Sequence, residues 1–191
     1  MDELVGLFLV AQREFGARVE EVSADQWQSP TVDSEWDVGA LVDHVVEENR
    51  WVAPLIGGQS VDQAGEDVAA MKADVIDRKT AWDTAAASAA DSVSAAGAMD
   101  ADVSLSRGPT PAREYIAEMI FDHTIHAWDL GAAIGSARPL PDELISTVYS
   151  IVEPLGDLSV AFGGMFAPPV SIADDAPLVD RLIALTGRDP R

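Results

Sequence analysis

All three histidines of the 191-residue chain fall in two short stretches. His44 stands alone in Leu41-Val42-Asp43-His44-Val45-Val46-Glu47-Glu48, and the other two lie in Phe121-Asp122-His123-Thr124-Ile125-His126-Ala127-Trp128-Asp129-Leu130. Asp122 and His126 are four residues apart. On a helix that spacing makes them neighbours on one strip, so both can ligate a single ion. His123 and His126, three apart, can do the same, and spacing alone leaves either as the partner of His126. Two imidazoles and a carboxylate on one divalent ion leave coordination positions open. The chemistry on offer is Lewis-acid polarisation, or a lowered pKa for a bound water or thiol. The plainer reading makes each histidine a hydrogen-bonded boundary residue and Asp122 a solvated helix edge. Trp36 and Trp128 are read as packing residues, because tryptophan chiefly supplies buried area.

Other chemistries lack their residues. With no cysteine there is no disulfide, no thiolate metal site and no cysteine nucleophile. P-loop, Gly-rich strand-to-helix and G-x-S-x-G patterns are absent. Glu47 and Glu48 are adjacent and do not face each other on a helix, which argues against an acid/base pair. Twelve Lys+Arg against 33 Asp+Glu give a formal charge of −21. Such a field repels phosphate backbones and anionic lipid, so neither nucleic acid nor a membrane surface is expected as a partner; it attracts cations without selecting among them. The acidic start Met1-Asp2-Glu3-Leu4 does not read as a secretory signal, and no stretch reads as a transmembrane helix. The expected location is therefore cytoplasmic.

The elements that must position these residues are helices. Leu4, Leu7, Phe8, Ala11, Phe15, Val19 and Val22 recur at helical spacing over about 2–22. A loop at 28–34 follows, with Asp33 or Ser34 as the cap of a second helix over about 36–55, ended by Gly57-Gly58. On that helix His44 lies off the Val38/Leu41/Val45 face, on a flank shared with Glu48 and Trp51, from which it can look into a groove between helices. An alanine-rich stretch predicts one long third helix over about 62–96. Residues 102–106 read as a brief extended piece, and Gly108-Pro109-Thr110-Pro111 as a break whose Thr110 caps, and Pro111 opens, a fourth helix over about 111–134. A shorter helix near 141–153, a long Gly/Pro-rich connection over 154–177 and a last helix over about 175–187 complete the chain. The expected architecture is all-α, an up-and-down four-helix bundle with short C-terminal helical additions. The expected organisation is one domain over 1–191, with the metal-binding bundle at 1–135 and the C-terminal helices and connection at 136–191.

Glu35-Trp36-Asp37-Val38-Gly39-Ala40-Leu41-Val42-Asp43-His44-Val45-Val46 resembles the tryptophan-to-histidine signature of the DinB-like superfamily. More narrowly it is similar to that of actinobacterial metal-binding proteins related to mycothiol-dependent maleylpyruvate isomerase. The stretch from Asp122 through His126 to Trp128-Asp129-Leu130 resembles their second signature. The tail, from Phe166-Ala167-Pro168-Pro169-Val170 to Leu185-Thr186-Gly187-Arg188-Asp189-Pro190, resembles the ending of one subgroup. The resemblance implies a four-helix bundle holding one divalent ion, often zinc or nickel, with His44, Asp122 and His126 as ligands. The superfamily usually offers histidine or glutamate where Asp122 stands, and aspartate is one methylene shorter than glutamate. His123 matches no family ligand and is read as a supporting or core residue. The function so implied is a transferase or isomerase that uses a low-molecular-weight thiol such as mycothiol as cosubstrate, acting on a small molecule. The rival expectations are a non-catalytic metal- or ligand-binding, stress-associated module, and a structural bundle with an incidental site. The isomerase relatives carry a further C-terminal domain, and the region after 135 reads as shorter and helical.

Overall fold

The computed structural model describes residues 2–32, 36–72 and 77–190. The chain separates into two compact units, Met1–Ser136 and Ala137–Arg191.

In the first unit α1 (Glu3–Glu21) starts where the Asp2 carboxylate accepts a hydrogen bond from the Leu4 N–H at 2.9 Å, and it buries Phe8, Ala11, Phe15 and Val19. α2 (Val38–Ile56) is capped by Asp37, whose carboxylate accepts from the Ala40 N–H at 2.8 Å. That cap stands beyond the expected ones, Asp33 and Ser34, which lie outside the described residues. α3 (Val61–Lys72) begins with a capping box, in which the Ser60 hydroxyl accepts from the Gln63 N–H and the Gln63 side chain accepts from the Ser60 N–H. α4 (Arg78–Ser94) has its own start. Asp77 is extended, at φ −152° and ψ 160°, and caps the Thr80 N–H. The single helix expected over 62–96 is therefore two helices, with residues 73–76 outside the described range.

The extended piece is β1 (Asp102–Leu105), and it pairs antiparallel with β2 (Gly108–Pro111). The Gly-Pro-Thr-Pro stretch thus forms a strand rather than a simple break, since a two-stranded hairpin has outward edges on which proline costs no ladder bond. Thr110 lies on that strand, and Pro111 precedes α5 (Ala112–Ile134) with no side-chain cap. α5 ends at Gly135, whose φ of 72° only glycine adopts readily.

α1, α2, α4 and α5 make the all-α, DinB-like four-helix bundle expected, though they do not alternate up and down, because α3 returns the chain and leaves α2 and α4 running in the same sense. Their directions follow from the contacts along them. Arg113 at the start of α5 pairs with Asp2 at the start of α1, and Gln26 reaches the Ile134 carbonyl at the end of α5, so α1 and α5 run parallel. Arg78, opening α4, lies against Gly39 and pairs with Asp43 near the start of α2, so α2 and α4 also run parallel. α3 carries the chain back between them, packing Gly65 on Trp51. The α2/α4 pair runs opposite to α1/α5, with Lys79 beside Glu20 and Ala86 beside Gln12. Among the described residues no helix is long and apolar enough to cross a membrane.

The second unit packs α6 (Asp142–Val152) on α8 (Leu178–Leu185), with the short α7 (Leu158–Ala161) in the connection. Arg181 donates to the Tyr149 hydroxyl and lies over its ring. Gly187, at φ 80°, sits where a Cβ would come within 2.5 Å of the Ala167 carbonyl oxygen, so both backbone and space require glycine there.

Candidate metal centre

Because α2 and α5 run antiparallel, the flank of α2 bearing His44 meets the strip of α5 bearing Asp122 and His126. The three offer one ligand atom each, all within 4.8 Å of one another. His126 Nε2 lies 3.3 Å from Asp122 Oδ1, and His44 Nε2 lies 3.8 Å from the same oxygen. The two imidazoles are 5.1 Å apart and nearly perpendicular, at 81°. Asp122 Oδ2 is buried and has no hydrogen-bond partner among the described residues. A buried carboxylate oxygen left without a donor is costly, and a cation beside it removes that cost.

Two further groups tune the site. Asp129, 2% exposed, lies 3.0 Å from His126 Nδ1 through its Oδ2. A carboxylate can only accept, so Nδ1 carries the proton and Nε2 is the nitrogen turned toward Asp122, the arrangement that orients metal-binding histidines. Trp36, just before the Asp37 cap, lies over both rings, 4.7 Å from His44 and 5.7 Å from His126. The residue expected to pack does so, but against the candidate ligands.

The electrostatics follow. Burial disfavours a charged His126, yet the Asp122 and Asp129 carboxylates outweigh it and push the imidazole up to about 9. Burial likewise works against Asp122, but the His126 imidazole holds its carboxyl well below the usual range. Glu48, one turn from His44 on α2, is pushed up by burial and then by the Asp122 charge. The Tyr115 phenol on α5 is pushed far up by burial and then by Glu48. Its buried hydroxyl has no partner among the described residues.

His123, the alternative that spacing left open, is fully buried between Phe8, Trp82 and Phe15 at ring distances of 5.6, 6.1 and 6.5 Å. Its Nδ1 donates to the Met119 carbonyl at 2.6 Å, and its Nε2 accepts from Asn49 Nδ2 at 2.6 Å. Burial holds its pKa down. With both nitrogens engaged, it has no lone pair to offer an ion. Reading the sequence missed Asp129 and Asn49. The signal for Asp129 was present, three residues after His126 and hence on the same strip.

The sequence profile of the mycothiol maleylpyruvate isomerase N-terminal domain matches residues 8–131, a span that holds every residue of the cluster. Two uncharacterized proteins of Mycobacterium tuberculosis, from strains CDC 1551 / Oshkosh and ATCC 25618 / H37Rv, are each 34% identical over 190 residues, covering 95% of both chains. The crystal structure of the mycothiol-dependent maleylpyruvate isomerase superposes with a TM-score of 0.68 at 16% identity, over 97% of this chain and 88% of that one. At that identity the likeness is one of fold, and it extends past the bundle into the residues after 136.

Proposed function

Since the chain belongs to the family of the mycothiol maleylpyruvate isomerase N-terminal domain, we propose that it holds one divalent ion, zinc or nickel, at His44, Asp122 and His126. We propose further that it uses the ion to activate a low-molecular-weight thiol such as mycothiol in a transfer or isomerisation reaction on a small molecule. The observation that carries this reading is the convergence of two imidazole nitrogens on one carboxylate whose second oxygen is buried with no donor among the described residues. The donor set fits: imidazole and carboxylate suit zinc and nickel, and three protein ligands leave room for a fourth from outside. When bound, the ion supplies Lewis acidity, which favours the thiolate over the thiol at neutral pH.

The chain's own residues do the rest. Asp129 holds His126 in the tautomer that turns Nε2 to the site. Asp122 contributes its charge at neutral pH, because its carboxyl stays ionised. Trp36 covers one side of both imidazoles and limits water there. Glu48 grips its proton more tightly than an ordinary carboxyl, and Tyr115 stays a neutral phenol. With no cysteine in the chain, the sulfur must come from a cosubstrate.

The test is spectroscopic. Cobalt-substituted protein should change its visible spectrum when mycothiol or a simpler thiol is added, because sulfur ligation alters the metal's electronic environment. An unchanged spectrum with every thiol, in protein that binds cobalt, leaves the metal site standing but rejects the thiol chemistry in favour of a binding module.

A further inference from the structure

The bundle is built as two closely packed pairs, α1 with α5 and α2 with α4, and direct packing between α2 and α5 is sparser. His44 belongs to one pair, while Asp122 and His126 belong to the other. The metal site proposed above therefore straddles the seam between pairs, and its geometry depends on how one pair is aligned along the other. Apolar contacts across a seam are tolerant of small axial slides, because they have no direction. A slide of one residue shifts a helix by about 1.5 Å, whereas ligand atoms must hold their distances to within about 0.2 Å.

Apart from the exposed contact in which Lys79 of α4 donates to the Glu20 carbonyl of α1, a buried polar chain crosses the seam with direction. Gln12 on α1 is 6% exposed, and Asn49 and His123 are fully buried. The Gln12 amide donates to Asn49 Oδ1 at 2.6 Å and to the Ala86 carbonyl of α4 at 3.3 Å. Asn49 Nδ2 donates to the Val45 carbonyl at 2.9 Å and to His123 Nε2 at 2.6 Å. His123 Nδ1 donates to the Met119 carbonyl at 2.6 Å. Each of these donors finds an acceptor in one consistent direction, which fixes both amide orientations and the histidine tautomer. All four helices of the bundle take part. The chain lies beside the candidate ligands: Asn49 follows His44 by five residues, about 7.5 Å along the axis, and His123 is next to Asp122.

We propose that Gln12, Asn49 and His123 form a register clasp that aligns α2 against α5 and so sets the spacing of His44 from Asp122 and His126. Asn49 is its central positioning residue. The clasp is distinct from the core packing around it. A well-packed apolar replacement of all three would keep the bundle folded and lose the alignment, as happens when buried polar residues that specify register are removed from helical bundles. The proposal rests on the metal-site reading, and the experiment separates the two.

Zinc affinity by chelator competition and thermal unfolding of the metal-free protein are measured for the full chain, Asn49→Leu, His123→Gln and the triple variant Gln12→Leu/Asn49→Leu/His123→Leu. Asn49→Leu should weaken zinc at least about tenfold, the lower end of the effect of removing a residue that orients ligands. His123→Gln keeps an acceptor for Asn49 and should stay within about threefold of wild type, less than the loss of an orienting residue. The triple variant leaves no donor stranded, so it should melt near wild type yet bind zinc at least about tenfold more weakly. A merely structural role predicts the reverse, with affinity recovering as stability does. Wild-type affinity in the folded triple variant, or in a folded Asn49→Leu, overturns the clasp alone. Failure of the wild type to bind zinc, nickel or cobalt overturns the metal reading, and this inference with it.

Discussion

Raising the pH from 7 to 9 should tighten metal binding steeply, and the structure sets the size of the effect. In the metal-free protein His126 lies between two carboxylates, with Nδ1 on Asp129 at 3.0 Å and Nε2 beside Asp122 at 3.3 Å, which raises its pKa from 6.5 to about 9. An ion must displace the Nε2 proton. At pH 7 only about one molecule in a hundred has that nitrogen free, so the apparent affinity should be about a hundredfold below its value well above pH 9. Asp122 adds no further competition, because its carboxyl is ionised throughout this range. Between pH 7 and 8 the dissociation constant should therefore fall about tenfold, with about one proton released per ion bound. Chelator competition corrected for the chelator's own protonation reads the first quantity. Calorimetry in buffers of different ionisation heats reads the second.

The stability of the metal-free protein should move the other way. His126 has a raised folded pKa, so its contribution is complete below 6.5 and is lost as the pH climbs through about 9. Two and a half pKa units correspond to at most about 3 kcal/mol. The gap in melting temperature between zinc-loaded and metal-free protein should accordingly widen from pH 7 to 9. A zinc affinity that is flat over this range, with no proton release, would refute the idea that Asp122 and Asp129 jointly charge His126.

Three further outcomes follow from the same geometry. Asp122→Ala should weaken zinc at least about tenfold, since loss of a ligand outweighs the effect of a supporting residue, whereas His123→Gln should lower stability or shift affinity modestly while leaving an occupied site. Chelator competition on both variants checks this, and the opposite ranking would mean that the histidines alone hold the ion. Asp129→Asn should weaken zinc about 10- to 100-fold at pH 9 but less at pH 7, because it also relaxes the proton competition at His126; an unmoved midpoint of the pH profile would rule out Asp129 as a source of that charge. Gly187→Ala should destabilise the second unit by at least about 2 kcal/mol, from a left-handed backbone and a clash with the Ala167 carbonyl, read as earlier denaturant unfolding of that unit with zinc affinity unchanged.

The helices that could be read from apolar spacing were those with a well-defined buried face. Phe8, Ala11, Phe15 and Val19 on α1, and Ile116, Ile120, Ala127 and Leu130 on α5, are all buried where the period places them. Propensity misled where alanine dominated. Over 62–96 alanine is the commonest residue and favours helix, yet Asp77 takes an extended backbone because its carboxylate gains the Thr80 N–H as a capping partner. The direction of the chain was equally hidden. Nothing in the spacing of α3 distinguishes a bundle helix from a return segment, whereas contacts such as that of Arg78 with Asp43 show that α4 runs beside α2 in the same sense.

The candidate site divides along the same line between local and distant information. Spacing within α5 could offer Asp122 or His123 as the neighbour of His126, because both are reached by one turn of helix. It could not choose, since the choice depends on what α1 and α2 bring from across the bundle. Asn49 consumes the last lone pair of His123, and Gln12 in turn satisfies Asn49, so that histidine is closed off by a chain that begins 111 residues earlier in sequence. Asp122 is reached by His126 and His44, but through Oδ1 alone. Its Oδ2 is buried with no donor among the described residues, in a cluster where Trp36 and two carboxylates, Asp129 on one side and Glu48 on the other, surround a pair of imidazoles. Adjacent residues therefore play opposite parts. At His123 both ring nitrogens are matched and the group can only hold helices together, while at Asp122 the ionised carboxylate faces His126 and His44 through one oxygen and keeps its other oxygen without a partner among the described residues, a donor set suited to a cation.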